Sequence, residues 1–115
     1  MRKSEIKFTI ELDQENIPDT ITWEATEKPG DSISHTKSIS VSLWDDLQKN
    51  TMRIDLWTKD MPVDEMKRFY VDCLGGMAQS VLNSTGDEFM ASQMNDLCDK
   101  LVEHLKKEAE QGGNP

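Results

Sequence analysis

The stretch Val63–Leu82, VDEMKRFYVDCLGGMAQSVL, constrains the fold more than any other part of the chain. Its apolar residues fall at Val63, Met66, Phe69, Tyr70, Cys73, Leu74, Met77, Ala78, Val81 and Leu82, in steps of three and one. A helix returns such positions to one face, so the spacing predicts an amphipathic helix of about five turns. Asp60 and Pro62 stand where a cap and a first helical residue belong, and Asp64 and Glu65 place negative charge at the positive end of the helix dipole. Asn83-Ser84-Thr85-Gly86 supplies the stop, because Gly86 can take the left-handed conformation. Gly75-Gly76 inside the pattern goes against helix propensity by roughly 1 kcal/mol per residue. That is expected where the backbone must approach a sheet or another helix closely, or where the helix kinks.

Upstream, the period changes from helical to two. Ile6, Phe8, Ile10 and Leu12 alternate with Lys7, Thr9 and Glu11, which predicts a half-buried strand. Asp13-Gln14-Glu15-Asn16 is a polar turn, and Pro18 makes the start of the next segment irregular. Ile21, Trp23 and Ala25 give a second strand. Glu27 to His35, EKPGDSISH, reads as a loop around Pro29-Gly30-Asp31. A third strand follows over 37–44, with Ile39, Val41 and Leu43 on one face and Ser38, Ser40, Ser42 and Trp44 on the other. The fourth, over 51–58, sets Met52, Ile54 and Leu56 against Thr51, Arg53, Asp55 and Trp57. Asp45 to Asn50 is too short for a parallel crossover, so these two strands form an antiparallel hairpin.

A second helix opens at Asp87-Glu88 and carries Met90, Met94, Leu97, Cys98, Leu101, Val102 and Leu105 on one face. The expected fold class is therefore α+β: a four-stranded antiparallel sheet followed by two C-terminal helices, at least one packed on a sheet face. With 115 residues, the chain has room for one modest core. We expect a single domain over 1–111 and a disordered tail over 112–115.

Charge narrows the partners. The net charge of −9 is spread evenly, with 8 basic against 12 acidic residues in 1–60 and 5 against 10 in 61–115. An acidic protein without a basic patch is expected to bind neither nucleic acid nor anionic membrane unaided. MRKSEIKFTIELD has no apolar core of a signal peptide, no run approaches the ~18 apolar residues of a membrane span, and the first cysteine, Cys73, comes too late for a lipoprotein anchor. The expected location is the cytoplasm, without membrane insertion. There, Cys73 and Cys98, each on an apolar helix face, read as small buried hydrophobes.

Templates for catalysis and cofactors fail one by one. There is no phosphate-binding or dinucleotide-binding glycine motif, and His35 and His104 have no metal-ligand neighbours at recognised spacing. No residue sits on a nucleophile elbow, and Asp45-Asp46 lies in a hairpin loop where water screens it. The chain is expected to be no enzyme, with no cofactor and no metal. The informative anomaly is aromatic: Trp44 and Trp57 both fall on the polar parity of their strands. Either they wrap a sheet edge, or they make an aromatic contact surface for a partner or a second subunit.

The block SLWDDLQKNTMRIDLWTKDMPVDEMKRFYVDCLGGMAQSVLNSTGDEF, with the start MRKSEIKFTIELD, resembles the gliding motility-associated GldC family over roughly two-thirds of the chain. The resemblance includes both tryptophan phrases and the Cys73-Leu74-Gly75-Gly76 turn of helix. It implies an accessory motility factor that improves colony spreading without being strictly required for it, and it brings no catalytic residue, cofactor or ligand. The expected role is an adaptor or stabiliser of motility or secretion machinery. Trp44, Trp57, Arg53 and Asp55 are its candidate partner-contact residues. The alternative is a SecB-type export chaperone, a holdase for unfolded clients, argued from element order alone. Its apolar groove would be lined by Met52, Met61, Met66, Met77, Met90 and Met94.

Overall fold

A computed structural model of the chain describes residues 2–27 and 34–112. The alternation of Ile6, Phe8 and Ile10 produces β1 (Ile6–Leu12), which pairs antiparallel with β2 (Pro18–Ala25). The register sets Ile6 opposite Ala25, Phe8 opposite Trp23 and Ile10 opposite Ile21, so the apolar residues of both strands share one face. The connecting turn is held by Asp13, whose Oδ1 accepts from the backbone N–H of Glu15 (2.8 Å) and of Ile17 (3.0 Å). Asn16 takes φ 63° there, a conformation its short polar side chain tolerates. The register slips between Glu11 and Leu12, where β2 starts at Pro18. That slip leaves Asp19 without a register partner and close to Lys59 (3.6 Å).

The single four-stranded sheet expected from the sequence is replaced by two sheets. A strand not foreseen, β3 (Ser34–Thr36), pairs with β2 in the order β1–β2–β3. After a bend at Lys37, β4 (Ser38–Asp45) pairs with β5 (Asn50–Trp57) as a separate antiparallel hairpin. The physical reason is that one nearly continuous extended run, 34–45, serves two partners in turn. The bend is braced locally by Thr36 Oγ1, which donates to the carbonyl of Ser38 (3.1 Å). His35, placed by composition in a loop, is therefore a strand residue paired with Thr22. Pro29-Gly30-Asp31 lies outside the described residues.

The buried groups of this first unit, Met1–Met61, gather around β2 and the root of the hairpin. Ile21 is the one large side chain fully buried there among the described residues, at 1% exposure, and Ser38, Ile39 and Thr58 are also buried. Ser38, Ile39 and Thr58 all lie at the hairpin root, where Thr58 N–H donates to the carbonyl of Lys37 (2.8 Å). Lys59 N–H reaches the Pro18 carbonyl (3.0 Å), and its ammonium bonds Asp13 (3.1 Å). The hydrogen bond and charge of Asp13 push the Lys59 ammonium above its ordinary range. Asp13 is held below the carboxylate range, first by the Ile17 N–H and then by Lys59.

The second unit, Pro62–Pro115, is a helical hairpin of α1 (Val63–Thr85) and α2 (Glu88–Gly112). Asp60 does not cap α1: its carboxylate binds Thr58 Oγ1 (2.7 Å) and Lys37 (3.4 Å), and the N-cap position belongs to Pro62. Gly86 ends α1 at φ 73° as its sequence position requires, and Asp87 Oδ1 caps α2 by accepting from Met90 N–H (3.0 Å). α2 continues through Gly112, past the point where composition starts the tail, and 113–115 lie outside the described residues.

The apolar residues of α1 occupy one broad arc, and α2 meets one margin of it. Val71 and Gly75 meet α2: Cys98 Sγ lies 3.6 Å from the Val71 carbonyl and 3.6 Å from where a Gly75 Cβ would stand. Ala78 and Ala91 are the buried residues of the helix pair. Met66, Cys73 and Met77 lie about 160–180° around the helix from Gly75, at 100° per residue. A Cβ on Gly75 would stand in ordinary van der Waals contact with Cys98 Sγ and one on Gly76 would meet nothing within 4 Å, so space demands glycine at neither position. Lys67 ties the helices by donating to both carboxylate oxygens of Glu108 (3.0 Å each). That bond holds Glu108 below its ordinary range.

Candidate partner-contact site

The alternation of SISVSLWD and NTMRIDLW sends every second side chain of the β4–β5 hairpin to one face. The register pairs Ser38 with Trp57, Ser40 with Asp55, Ser42 with Arg53 and Trp44 with Thr51. All four candidate contact residues therefore stand on the same face. Because Thr58 N–H bonds the Lys37 carbonyl, the 37/58 pair is of the hydrogen-bonded kind. The ladder alternates, so the four pairs of the polar face are non-hydrogen-bonded, the geometry that brings facing side chains closest.

That closeness builds a cluster. Arg53 lies flat across the strands, donating from NH1 to Ser42 Oγ (2.7 Å) and from NH2 to Ser40 Oγ (2.8 Å) and Asp55 Oδ1 (3.0 Å). Its Nε adds a bond to Asp55 Oδ2 (3.3 Å), and Ser40 Oγ donates to Asp55 Oδ1 (2.6 Å). The Ser40 hydroxyl first, and the Arg53 guanidinium second, hold the Asp55 carboxyl below the carboxylate range. Arg53 stays partly open to solvent, so the ion pair serves to fix side-chain geometry more than to stabilise the fold.

The tryptophans bracket this cluster and do not touch each other. Trp44 stands near the tip and Trp57 at the root, six residue steps apart along the ladder, or ~20 Å. Trp44 is 65% exposed and Trp57 49%. The site is two aromatic plates flanking a fixed, internally neutral polar centre. What the sequence reading missed is the role of Ser40 and Ser42, which lock Arg53 and Asp55 in place. Their position opposite those two residues in an antiparallel hairpin was the available signal.

On the reverse face of the hairpin, Leu43, Met52 and Ile54 are exposed as well. The helical methionines named for a groove do not share one surface. Met94 lies on the side of α2 that carries Cys98, whereas Met66 and Met77 lie on the side of α1 turned from α2. Two clefts include polar groups that pair with one another. A cleft of about 300 Å³ in the strand unit is lined by Lys37, Thr58 and Asp60, which bond one another. A cleft of about 670 Å³ in the helical unit is lined by the Lys67–Glu108 pair and by Val63 and Leu105.

Among the described residues, no helix is long and apolar enough to cross a membrane. No match was found among curated proteins or among solved structures. A family model described as gliding motility-associated protein GldC-like matches residues 18–107, which includes the whole hairpin and nearly all of both helices. The chain belongs to the GldC-like family of gliding motility-associated proteins.

Proposed function

We propose that the protein is a small, non-catalytic adaptor or stabiliser of the gliding or secretion machinery, acting in the cytoplasm by binding a protein partner. The face bearing Trp44, Arg53, Asp55 and Trp57 is its contact surface. The observation that carries this reading is the pair of exposed tryptophans on either side of a pre-ordered Arg53–Asp55 centre. Tryptophan and arginine dominate binding energy at protein interfaces, and a side chain already held in place loses little entropy on docking. The cluster suits recognition better than catalysis. Asp55 is held toward its ionised form with both oxygens accepting hydrogen bonds, and Arg53 spends three of its nitrogens on the hairpin itself.

The exposed reverse face, with Leu43, Met52 and Ile54, supports a second reading: a SecB-like holdase that captures unfolded exported clients. One experiment separates the two. The protein and a folded Trp44→Ala, Trp57→Ala variant are used as baits in a gliding cell's lysate, with bound proteins identified by mass spectrometry. One or two motility or envelope proteins, lost with the variant, are the result expected of the adaptor. A broad set of unfolded exported proteins, retained by the variant, would replace it with the holdase.

A further inference from the structure

We propose that the outer edge of β4 pairs antiparallel with β4 of a second copy, joining two hairpins into one four-stranded sheet across a two-fold axis beside Val41. The ladder alternation derived above turns the backbone N–H and C=O of Ser40, Ser42 and Trp44 away from β5. Among the described residues, no strand pairs with that edge of β4.

The edges differ in how they are guarded. β1 carries Lys7 and Glu11 and a register slip, and β5 carries Arg53 and Asp55. Those are the usual devices against edge-to-edge pairing. β4 from Ser38 to Trp44 has no charge, no proline and no bulge. A two-stranded hairpin is marginal by itself, and a third and fourth strand is the addition that gives it independent stability.

Complementarity selects a second copy and fixes the register. Placing Val41 opposite its symmetry mate sets Ser40 against Ser42 of the other copy, twice, and gives four backbone bonds at the centre. It also sets Lys37, whose ammonium reaches Asp60 in its own copy, opposite Asp45, which accepts from Gln48 N–H, so opposite charges meet at both ends of an otherwise neutral strand. Sliding by one pair would set Ile39 against Asp45 and lose both the charge match and the Val41 contact. Trp57 lies on the other strand, so its removal separates edge pairing from contact through the aromatic face.

Sedimentation equilibrium of the full chain tests it. The protein is expected to be a dimer. Ser42→Ala keeps the outward N–H and should leave association unchanged. Ser42→Pro removes that N–H without touching the β4–β5 ladder and should weaken association about tenfold or more. In a Cys73→Ser, Cys98→Ser background, Val41→Cys should form an intermolecular disulfide on oxidation, since facing non-hydrogen-bonded Cα atoms lie ~4.5 Å apart. Met52→Cys, on the same face of β5, should not. A protein that stays monomeric, or a Val41→Cys chain that fails to cross-link while Met52→Cys succeeds, would overturn the pairing. A dimer abolished by Trp57→Ala and indifferent to Ser42→Pro would overturn it as well and move the self-contact to the aromatic face.

Discussion

The root and the tip of the β4–β5 hairpin share one alternation, yet they are different environments. At the root, Ile39 is 9% exposed and Thr58 3%; at the tip, Leu43 on the same face as Ile39 is 55% exposed and Met52 58%. Alternation therefore tells which side an apolar residue takes and does not tell whether anything covers that side. The root is secured to β2 by Lys59 and by its backbone bond to Pro18, whereas the tip depends on ladder bonds and the Arg53 cluster.

The largest effect should therefore come from the root. Ile39→Ala is expected to cost about 2–4 kcal/mol in denaturant unfolding, and Leu43→Ala, two residues along the same face, about 1 kcal/mol or less. Equal costs would mean that the tip is covered in solution. A smaller contrast applies to hydroxyls. Thr58→Val removes a buried donor to Asp60 and should cost about 1–2 kcal/mol, against about 0.5 kcal/mol for Ser42→Ala at the exposed cluster.

Acid should act on both regions in the same direction. Asp60 at the root is held low by Thr58 first and Lys37 second, and Asp55 by Ser40 and Arg53. A carboxyl whose folded pKa lies below its ordinary value of 3.8 contributes stability that is complete above that value. The contribution is lost as pH falls further, through the folded pKa. Asp55→Asn should flatten the decline of melting temperature below pH 4 by one carboxyl's share, with no change in slope at neutral pH. An unchanged acid slope would mean that Asp55 is not paired in solution.

The smallest effect belongs to the tip turn. Lys49 sits at φ 56°, a region that costs a side-chain-bearing residue about 1 kcal/mol. Its bond to Asp46 is fully on the surface and offsets little of that cost. Lys49→Gly should raise stability by about 0.5 kcal/mol, measured as a shift of the denaturation midpoint.

Much of this arrangement was legible residue by residue. The parity of Ser38–Trp44 and Thr51–Trp57 put all four contact residues on one face, and Gly86 marked the end of α1. Three features were not legible. The run 34–45 reads as a loop plus one strand, and nothing in its composition marks Lys37 as the point where it changes partners. Asp60 has the credentials of a helix cap, but Thr58 and Lys37 claim its carboxylate. Val71 and Gly75 lie at the margin of the apolar arc of α1, and only the position of Cys98 reveals that they face α2.

The sequence by itself determined strand parity, the β4–β5 turn and the break between the two helices, because these follow from local backbone geometry and the spacing of apolar side chains. Tertiary structure decided which partner each half of 34–45 takes, which carboxylate meets which cation, and how far along the hairpin burial extends. Those outcomes depend on pairings between residues distant in the chain. Each side chain carries the same local signal whether or not its distant partner is there to meet it.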